Sequence, residues 1–239
     1  MTEIGSAVGR SKNIYWVGGG KGGVGKSMLA LASLDYLVGR GEKVLLVECD
    51  TSNADVWKAY HEEVEAELVN LDEANGWIRL VNVCDGKKDS SVVINTGARN
   101  NLGVSRYGLT LDGMLEELGR KLVVLWMINR QRDGLELLKD FAEAMPHALV
   151  HVVRNGHFGD DSKFELYNGS KVRRELVEAR GGRSVTLPDL ADRVADDLFT
   201  QYLSAAKAAR ILPIGNRAEL GRWRAEVRKA LAPLFGDAP

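Results

Sequence analysis

The chain has 239 residues, 45% of them hydrophobic, and a formal net charge of −1, so it can bury one hydrophobic core and we expect a single domain over residues 1–239. Its longest apolar run covers only residues 122–128, far short of the ~20 that span a bilayer, and the N-terminus lacks a signal-peptide core, so we expect a cytoplasmic protein. The two cysteines, Cys49 and Cys84, form no CxxC or Cys/His pattern, which argues against a disulfide framework, a zinc site or an iron–sulfur cluster within one chain.

Short runs rich in Val, Ile and Leu alternate along the chain with longer segments of helical periodicity. This alternation is typical of β-α-β units, and it predicts an α/β fold with a doubly wound, mainly parallel sheet and helices on both faces. We predict strands at residues 13–17, 43–48, 91–95, 121–128, 148–154 and 184–187. We predict helices at about 25–39, 53–66, 73–84, 105–118, 132–144 and 170–179, and then basic C-terminal helices (about 189–235) at 189–209 and 216–232.

The stretch GGGKGGVGKS, residues 18–27, joins the first predicted strand to the first predicted helix. It contains the pattern GxxxxGK[ST] in the strand–loop–helix context of a P-loop NTPase, where backbone N–H groups converge on phosphate at the positive end of the helix. Lys26 should neutralise the β- and γ-phosphates, and the Ser27 hydroxyl should ligate Mg²⁺. The expected nucleotide-binding residues in this loop are Gly20, Lys21, Gly22, Gly23, Val24, Gly25, Lys26 and Ser27.

Lys21 is a second lysine in the loop, five residues before Lys26. The sequence KGGVGKS resembles the deviant phosphate loop of the ParA/MinD family of ATPases, in which the early lysine is a defining residue. The resemblance implies that Lys21 reaches the partner's phosphates across a nucleotide-sandwich dimer, so that ATP but not ADP holds two subunits together. Such a contact is reasonable because stacked γ-phosphates repel each other unless extra cations neutralise them. The alternative is a solvent-exposed lysine without this role.

Acidic residues end the second predicted strand, which reads KVLLVECD. Because open α/β sheets bind ligands at the carboxyl ends of their strands, Asp50 should face the phosphates. The resemblance implies that Asp50, rather than Glu48, orients the attacking water or acts as general base and contributes to the Mg²⁺ shell. Lys21, Lys26 and Asp50 are therefore the expected catalytic residues. Thr51 and Ser52 stand where the family often has proline and glutamine, which leaves the switch I contacts open.

Asn95 ends the third predicted strand, at the position where the family's Walker B strand normally ends in aspartate. An amide can hydrogen-bond a Mg²⁺-bound water but brings no negative charge, so we expect weak metal binding through water and slow hydrolysis. Gly97 would then belong to the switch II turn. Alternatively, Walker B is the strand that ends LVVLWMIN at Asn129, with Asp133 in the next helix. Either placement predicts a slow ATPase or binding without turnover.

Two further positions fit the resemblance, which runs from about residue 12 to residue 190. Asn155 ends the strand ALVHVVRN, where the family commonly reads the adenine edge, although an asparagine there also fits simple turn chemistry. Pro188 lies in VTLPDL, where the family packs backbone and proline against the base. Both are expected nucleotide-binding residues.

Positive charge is concentrated near the C-terminus, because residues 171–239 hold 13 Lys and Arg against 9 Asp and Glu. The last predicted helix has an apolar stripe surrounded by arginines. This pattern fits a helix packed on the sheet, a phosphate-contacting surface or, least well, a membrane anchor. The candidate DNA-contacting residues are Arg173, Arg174, Arg210, Arg217, Arg224 and Arg228.

These features predict a ParA-like switch that binds ATP and Mg²⁺, dimerises on ATP and hydrolyses it slowly. We expect a role in plasmid segregation or conjugative mobilisation, through non-specific DNA binding at the nucleoid and a small DNA-binding adaptor protein. One alternative is a metabolic P-loop kinase or ligase, although no cluster in the sequence specifies an acceptor pocket. Another is a MinD-like membrane-positioning ATPase, which the polar C-terminal tail disfavours.

Overall fold

Seven parallel β-strands form the centre of the structure, a computed structural model that describes residues 12–237. They run in the spatial order β3-β2-β4-β1-β5-β6-β7. Their bounds are β1 (Ile14–Gly19), β2 (Val44–Glu48), β3 (Glu65–Leu68), β4 (Ser91–Asn95), β5 (Leu122–Ile128), β6 (Leu149–Asn155) and β7 (Ser184–Leu187). All carboxyl ends therefore lie at one edge of the sheet.

Helices cover both faces of this sheet. They are α1 (Lys26–Gly39), α2 (Asp55–Tyr60), α3 (Ala74–Gly86), α4 (Asn100–Tyr107), α5 (Leu109–Asp112), α6 (Leu115–Leu118), α7 (Asp133–Ala144), α8 (Glu165–Asn168), α9 (Asp192–Thr200), α10 (Ala205–Ile211) and α11 (Ile214–Leu231). A π-helical segment spans Val172–Val177, and short 3₁₀ turns lie at Gly156–Phe158, Asp161–Lys163, Glu178–Arg180 and Ala232–Leu234.

Alternate side chains of each central strand enter two separate hydrophobic cores. On β1, Val17 packs in the core that contains α1 and α11, whereas Trp16 packs in the opposite core beside Trp77 and Phe141. Burying one such large apolar side chain contributes about 1.5–3 kcal/mol. The near-continuous apolar runs of the strands follow from this two-sided burial, which confirms the predicted doubly wound α/β fold.

The structure corrects the predicted helix at 53–66. That helix ends at Tyr60, and the chain then forms the edge strand β3, whose residues pair with β2 from Leu45↔Glu65 onward. The sequence of β3, EAEL, is polar and favours a helix by intrinsic propensity. Pairing with β2 overrides that propensity, which is a tertiary effect that the local sequence does not reveal.

The predicted helix at 189–209 is also divided, into α9 and α10. Tyr202 adopts a left-handed φ of 50° after α9, which ends that helix. Ser204 then begins α10, because its side chain accepts a hydrogen bond from the backbone N–H of Lys207. Likewise, the predicted helix at 105–118 is three short helices over 100–118, and the one at 170–179 is the π-helical segment with a 3₁₀ turn.

His151 is a buried histidine on β6, and its Nδ1 accepts a hydrogen bond from the backbone N–H of Arg183 at 2.9 Å. Burial, and secondarily the charge of Arg183, lowers the pKa of His151 to about 4. A histidine with a lowered folded-state pKa takes up protons preferentially when the chain unfolds. Its contribution to stability is therefore complete above about pH 6.5 and is lost as the pH falls from there towards 4.

We expect the titration of this histidine to lower the free energy of unfolding by about 3 kcal/mol between pH 7 and pH 4. His151→Gln keeps a hydrogen-bond acceptor but does not titrate, so the variant should lose less stability over this range. Urea unfolding of both proteins between pH 7 and pH 4 measures the difference, and other titrating groups cancel in the comparison. Equal slopes for the two proteins would contradict the prediction.

Candidate nucleotide-binding site

The phosphate loop connects β1 to α1 at the carboxyl edge of the sheet. Gly23 and Gly25 have φ values of 75° and 103°, a left-handed conformation that favours glycine. Gly25 is the N-cap of α1 and provides no side-chain cap, so the first N–H groups of the helix have no capping side chain. Unsatisfied N–H groups at the positive end of a helix can bind an anion, and the binding of phosphates here stays a prediction.

Two asparagines hold the loop from outside. The Nδ2 of Asn155 donates to the carbonyl of Val24 at 3.0 Å, and the Nδ2 of Asn101 donates to the carbonyl of Gly20 at 3.1 Å. A Cβ at Gly25 would lie 2.5 Å from the Nδ2 of Asn155, so glycine is needed for this close approach. The loop is thus fastened to the end of β6 and to α4.

Lys26 lies inside the loop and is nearly buried, with 8% of its surface exposed. Its ammonium group donates to the carbonyl of Lys21 at 3.0 Å. Burial lowers the pKa of Lys26, and the charge of Asp50 acts in the opposite direction. A buried ammonium with one carbonyl partner is costly, and a bound phosphate would offset that cost by a charge-assisted contact.

Lys21, in contrast, is exposed and pairs with Asp133, the first residue of α7. Its Nζ lies 2.6 Å from the Asp133 Oδ2, and 67% of the lysine side chain is exposed. The hydrogen bond and the charge of Asp133 raise the pKa of Lys21. The sequence singled out Asp133 only as the acid that follows an alternative Walker B strand, so this pairing was not predicted.

Asp50 lies two residues beyond the end of β2, at the carboxyl edge of the sheet, and its position facing the phosphates stays a prediction. Its Oδ1 accepts a hydrogen bond from the Oγ of Ser52 at 2.8 Å. A Cβ at Gly97 would lie 2.9 Å from the Asp50 carboxyl carbon, so this glycine allows the two loops to approach each other closely. Asp50 therefore lies between the loop that follows β2 and the turn that follows β4.

Glu48 and Asn95 lie opposite each other on β2 and β4, and both are buried. The Asn95 Nδ2 donates to both carboxylate oxygens of Glu48, at 3.0 and 3.1 Å, and the Asp50 N–H donates to the Glu48 Oε1 at 2.9 Å. Burial raises the pKa of Glu48 to about 7, although these hydrogen bonds act in the opposite direction. The sequence favoured Asp50 over Glu48 and missed this pairing, because the partners are 47 residues apart.

The alternative Walker B residue, Asn129, is used in a local turn. Its Oδ1 accepts a hydrogen bond from the backbone N–H of Gln131 at 2.9 Å. Asn95, in contrast, ends the strand that lies between β1 and β2, and the next residue, Thr96, donates from its hydroxyl to the carbonyl of Val17. The structure therefore favours Asn95 as the Walker B position.

The oxygen donors at this edge fit a Mg²⁺ ion that is shared with a nucleotide. Asn95 has a buried Oδ1 with no hydrogen-bond partner among the described residues, and Ser27 and Asp50 lie at the same edge. Across residues 12–237, no three His, Cys, Asp or Glu side chains are grouped so that they could hold a metal by themselves. Mg²⁺ keeps several waters and uses few carboxylates together with substrate phosphates, which suits this donor set.

Asn155 and Pro188, the two residues expected to contact the base, each form hydrogen bonds within the protein. The Asn155 Oδ1 accepts from the N–H of His157 at 3.0 Å, in addition to the Nδ2 contact with the loop. The carbonyl of Pro188 accepts from the indole N–H of Trp223 on α11 at 2.9 Å. Both residues lie beside the loop or at its edge of the sheet, and their contact with the base stays a prediction.

The six candidate DNA-contacting arginines differ in whether their side chains have a partner within the protein. Arg173 pairs with Glu178, and Arg174 donates to the carbonyl of Gly169. Arg224 forms a two-bond ion pair with Asp35 of α1, at 2.9 and 2.6 Å, so its guanidinium is directed into the protein and the structure removes it from the DNA-contacting set. Of the six, those that are exposed and form neither an ion pair nor a side-chain hydrogen bond within the described part of the chain are Arg210, Arg217 and Arg228.

No helix within residues 12–237 has the length and apolar character needed to cross a membrane.

Comparison with known proteins shows the family to which the chain belongs. The family model described as CobQ/CobB/MinD/ParA nucleotide binding domain matches residues 15–159. The chain is 65% identical over 227 residues to Protein MobD of Acidithiobacillus ferrooxidans, which covers 95% of this chain and 100% of that protein. It is 30% identical over 178 residues to a Protein TraL of Escherichia coli, covering 67% of this chain and 73% of that protein.

The fold is also similar to that of a solved structure. The septum site-determining protein MinD complexed with Mg-ADP, from Pyrococcus horikoshii OT3, matches with a TM-score of 0.54 at 14% identity, covering 93% of this chain and 98% of that one. Fold, phosphate loop and sequence similarity agree, and the chain belongs to the CobQ/CobB/MinD/ParA family of nucleotide-binding domains.

Proposed function

We propose that this protein is a ParA-like ATPase that acts as a switch: it binds ATP with Mg²⁺, dimerises and hydrolyses the nucleotide slowly. The observation that carries the proposal is the position of Lys21. Its side chain is exposed beside the phosphate loop, and its partner is an acid on α7 rather than the phosphate cradle of its own chain. Exposed ion pairs are weak, so the phosphates of a second subunit can displace Asp133.

The residues beside the loop support slow turnover. Asp50 is the carboxylate that can position or activate water, because it lies at the carboxyl edge near Lys26. The Walker B position holds the amide of Asn95, whose Nδ2 is already engaged with Glu48. When bound, Mg²⁺ would supply charge neutralisation at the phosphates, and Ser27, Asp50 and Asn95 would hold it directly or through water.

The cellular role that we propose is conjugative mobilisation or segregation of plasmid DNA. The similarity to Protein MobD and Protein TraL favours mobilisation. Non-specific DNA binding by the dimer would use the exposed Arg210, Arg217 and Arg228, since unpaired cations release counterions when they meet phosphates. A small DNA-binding adaptor protein would stimulate hydrolysis and dissociate the dimer.

A metabolic kinase or ligase is the second candidate function, and it needs an acceptor pocket beside the γ-phosphate. A cavity of about 540 Å³ is present, but its lining includes Lys121, Leu122 and Leu149, at the amino ends of β5 and β6. It therefore lies at the edge of the sheet opposite the phosphate loop. This position does not support an acceptor site.

Sizing of the protein with different nucleotides tests the switch. We expect a monomer with ADP and a dimer with a slowly hydrolysed ATP analogue, because only the analogue presents a γ-phosphate to Lys21 of the other subunit. Lys21→Ala should stay monomeric with either nucleotide but should still bind both. Asp133→Asn should dimerise at roughly several-fold lower protein concentration, because the weak pair that holds Lys21 is lost.

Light scattering coupled to size exclusion, repeated with non-specific duplex DNA at low salt, measures both steps. A monomer under every condition, unaffected by Lys21→Ala, would contradict the switch. A dimer that does not bind DNA would favour the MinD-like membrane-positioning alternative.

A further inference from the structure

Glu48 and Asn95 form a carboxylate–amide pair at the carboxyl ends of two neighbouring strands. The acid lies on β2 and the amide lies on β4, at the position where the family's Walker B strand normally ends in aspartate. The amide donates to both carboxylate oxygens, and the backbone N–H of Asp50 donates to one of them. The carboxyl group that the Walker B strand lacks is therefore present in the adjacent strand.

The pair lies on the face of the sheet that carries the phosphate loop and α1. Side chains alternate along a strand, so Glu48 shares a face with Leu46, and Asn95 shares a face with Val93. Leu46 and Val93 pack in the same core as Leu29 of α1. Glu48 and Asn95 are thus the last side chains on this face of β2 and β4, at the edge where α1 begins.

Within the described part of the chain, one member of this pair has an acceptor without a partner, and the other is a hydrogen-bonded carboxylate without a cation. The Oδ1 of Asn95 is buried and has no hydrogen-bond partner among residues 12–237. Glu48 has no surface exposed and forms no ion pair with any Lys, Arg or His in the same range. A buried carboxylate without a cation is costly, and cations bound at such sites offset that cost. An acceptor oxygen and an unpaired carboxylate on the phosphate side of the sheet indicate a positively charged ligand.

We propose that Glu48 compensates for the amide at Asn95, so that Glu48 supplies the negative charge towards the water shell of the nucleotide's Mg²⁺. Asn95 is a positioning residue: its Nδ2 orients the Glu48 carboxylate, and its Oδ1 accepts from the same waters. This inference rests on the proposed function, because it requires Mg²⁺–nucleotide at the phosphate loop. It assigns to Glu48 a role that no local sequence pattern favoured.

An exchange of the two residues provides the test. In the double variant Glu48→Gln/Asn95→Asp, the introduced amide on β2 can donate to the introduced carboxylate on β4. The amide oxygen still accepts from the Asp50 N–H, so the hydrogen bonds of the pair are kept. Glu48→Gln alone removes the charge. Glu67→Gln is the matched control, because Glu67 is an exposed acid on β3 that pairs with Arg79. ADP affinity, measured by calorimetry with Mg²⁺ and with EDTA, gives the Mg²⁺ enhancement for each protein.

We expect Glu48→Gln to reduce the Mg²⁺ enhancement of ADP affinity roughly 10- to 100-fold, as loss of an outer-shell partner does at other metal sites. Its ADP affinity in EDTA should be unchanged, and the double variant should recover most of the enhancement. Thermal unfolding without nucleotide or Mg²⁺ shows whether each variant is folded. If Glu48→Gln does not fold, the double variant alone tests the inference.

Full Mg²⁺ enhancement in folded Glu48→Gln would overturn the inference, as would a folded double variant that lacks the enhancement. Those results would leave the switch intact, since wild-type protein would still bind ADP. If wild-type protein binds ADP equally with Mg²⁺ and with EDTA, the inference alone fails. If it does not bind ADP at all, the proposed function fails and this inference fails with it.

Discussion

Replacing Arg224 with alanine is expected to lower the free energy of unfolding by about 3 kcal/mol. The Arg224 guanidinium makes two hydrogen bonds to the Asp35 carboxylate, and only 8% of the aspartate side chain and 20% of the arginine side chain are exposed. Removing the arginine leaves a nearly buried carboxylate without its cation, and this uncompensated charge causes most of the loss. Urea unfolding at neutral pH measures the change.

Arg222 is the matched control for this experiment. It lies two residues away on α11 and pairs with Glu219 and Glu226, but at the exposed surface. Surface pairs contribute about 0–1 kcal/mol, so Arg222→Ala should have a small effect. A double variant, Arg224→Met with Asp35→Leu, should be more stable than Arg224→Ala because no charge is left unpaired. Equal losses for Arg224→Ala and Arg222→Ala would show that the Asp35 pair has no special weight.

Lys26→Ala is expected to weaken the binding of both ATP and ADP by roughly 10- to 100-fold, the effect of losing a charge-assisted hydrogen bond to phosphate. Lys21→Ala should leave the ADP affinity of the monomer nearly unchanged, because Lys21 pairs with Asp133 outside the cradle. Fluorescence titration with a labelled nucleotide compares the two variants under the same conditions. The two lysines would thereby be separated into one that binds nucleotide and one that acts between subunits.

The nucleotide-free Lys26→Ala protein should be at least as stable as wild type. Burial lowers the pKa of Lys26, so its ammonium costs the folded state free energy that alanine does not. A variant with a raised melting temperature and weakened nucleotide binding would show that Lys26 is kept for its ligand. Wild-type ADP affinity in this variant would contradict its assignment to the phosphates.

The parts of the fold that the sequence predicted are those that depend on local pattern. The six predicted strands are apolar and β-branched because both faces of the sheet are buried, and the phosphate loop is marked by glycines that adopt left-handed backbone conformations. The edge strand β3 escaped prediction because it is half exposed and polar, and it exists only through pairing with β2. Local pattern carries no information about such a partner.

The candidate site was predicted in its loop and in Asp50, but not in its cross-strand partners. The contact between Glu48 and Asn95 depends on the register of β2 against β4, and the contact between Lys21 and Asp133 depends on where α7 begins. Arg224 shows the same limit: the helical pattern of α11 places several arginines around an apolar stripe, but only packing against α1 determines which one meets Asp35. Each of these contacts joins residues 47 or more positions apart.

The hydrogen bond between the Pro188 carbonyl and the Trp223 indole has a mechanical consequence. Two more contacts lie beside it: Arg222 donates to the Asp189 carbonyl, and the Ala191 N–H donates to Glu219. The segment that follows β7 is therefore fastened to α11 over more than one helical turn, and an α-helix of 18 residues moves as a stiff rod. A displacement of this segment would therefore be transmitted to α11 as a whole, and Arg217 and Arg228 would move with it.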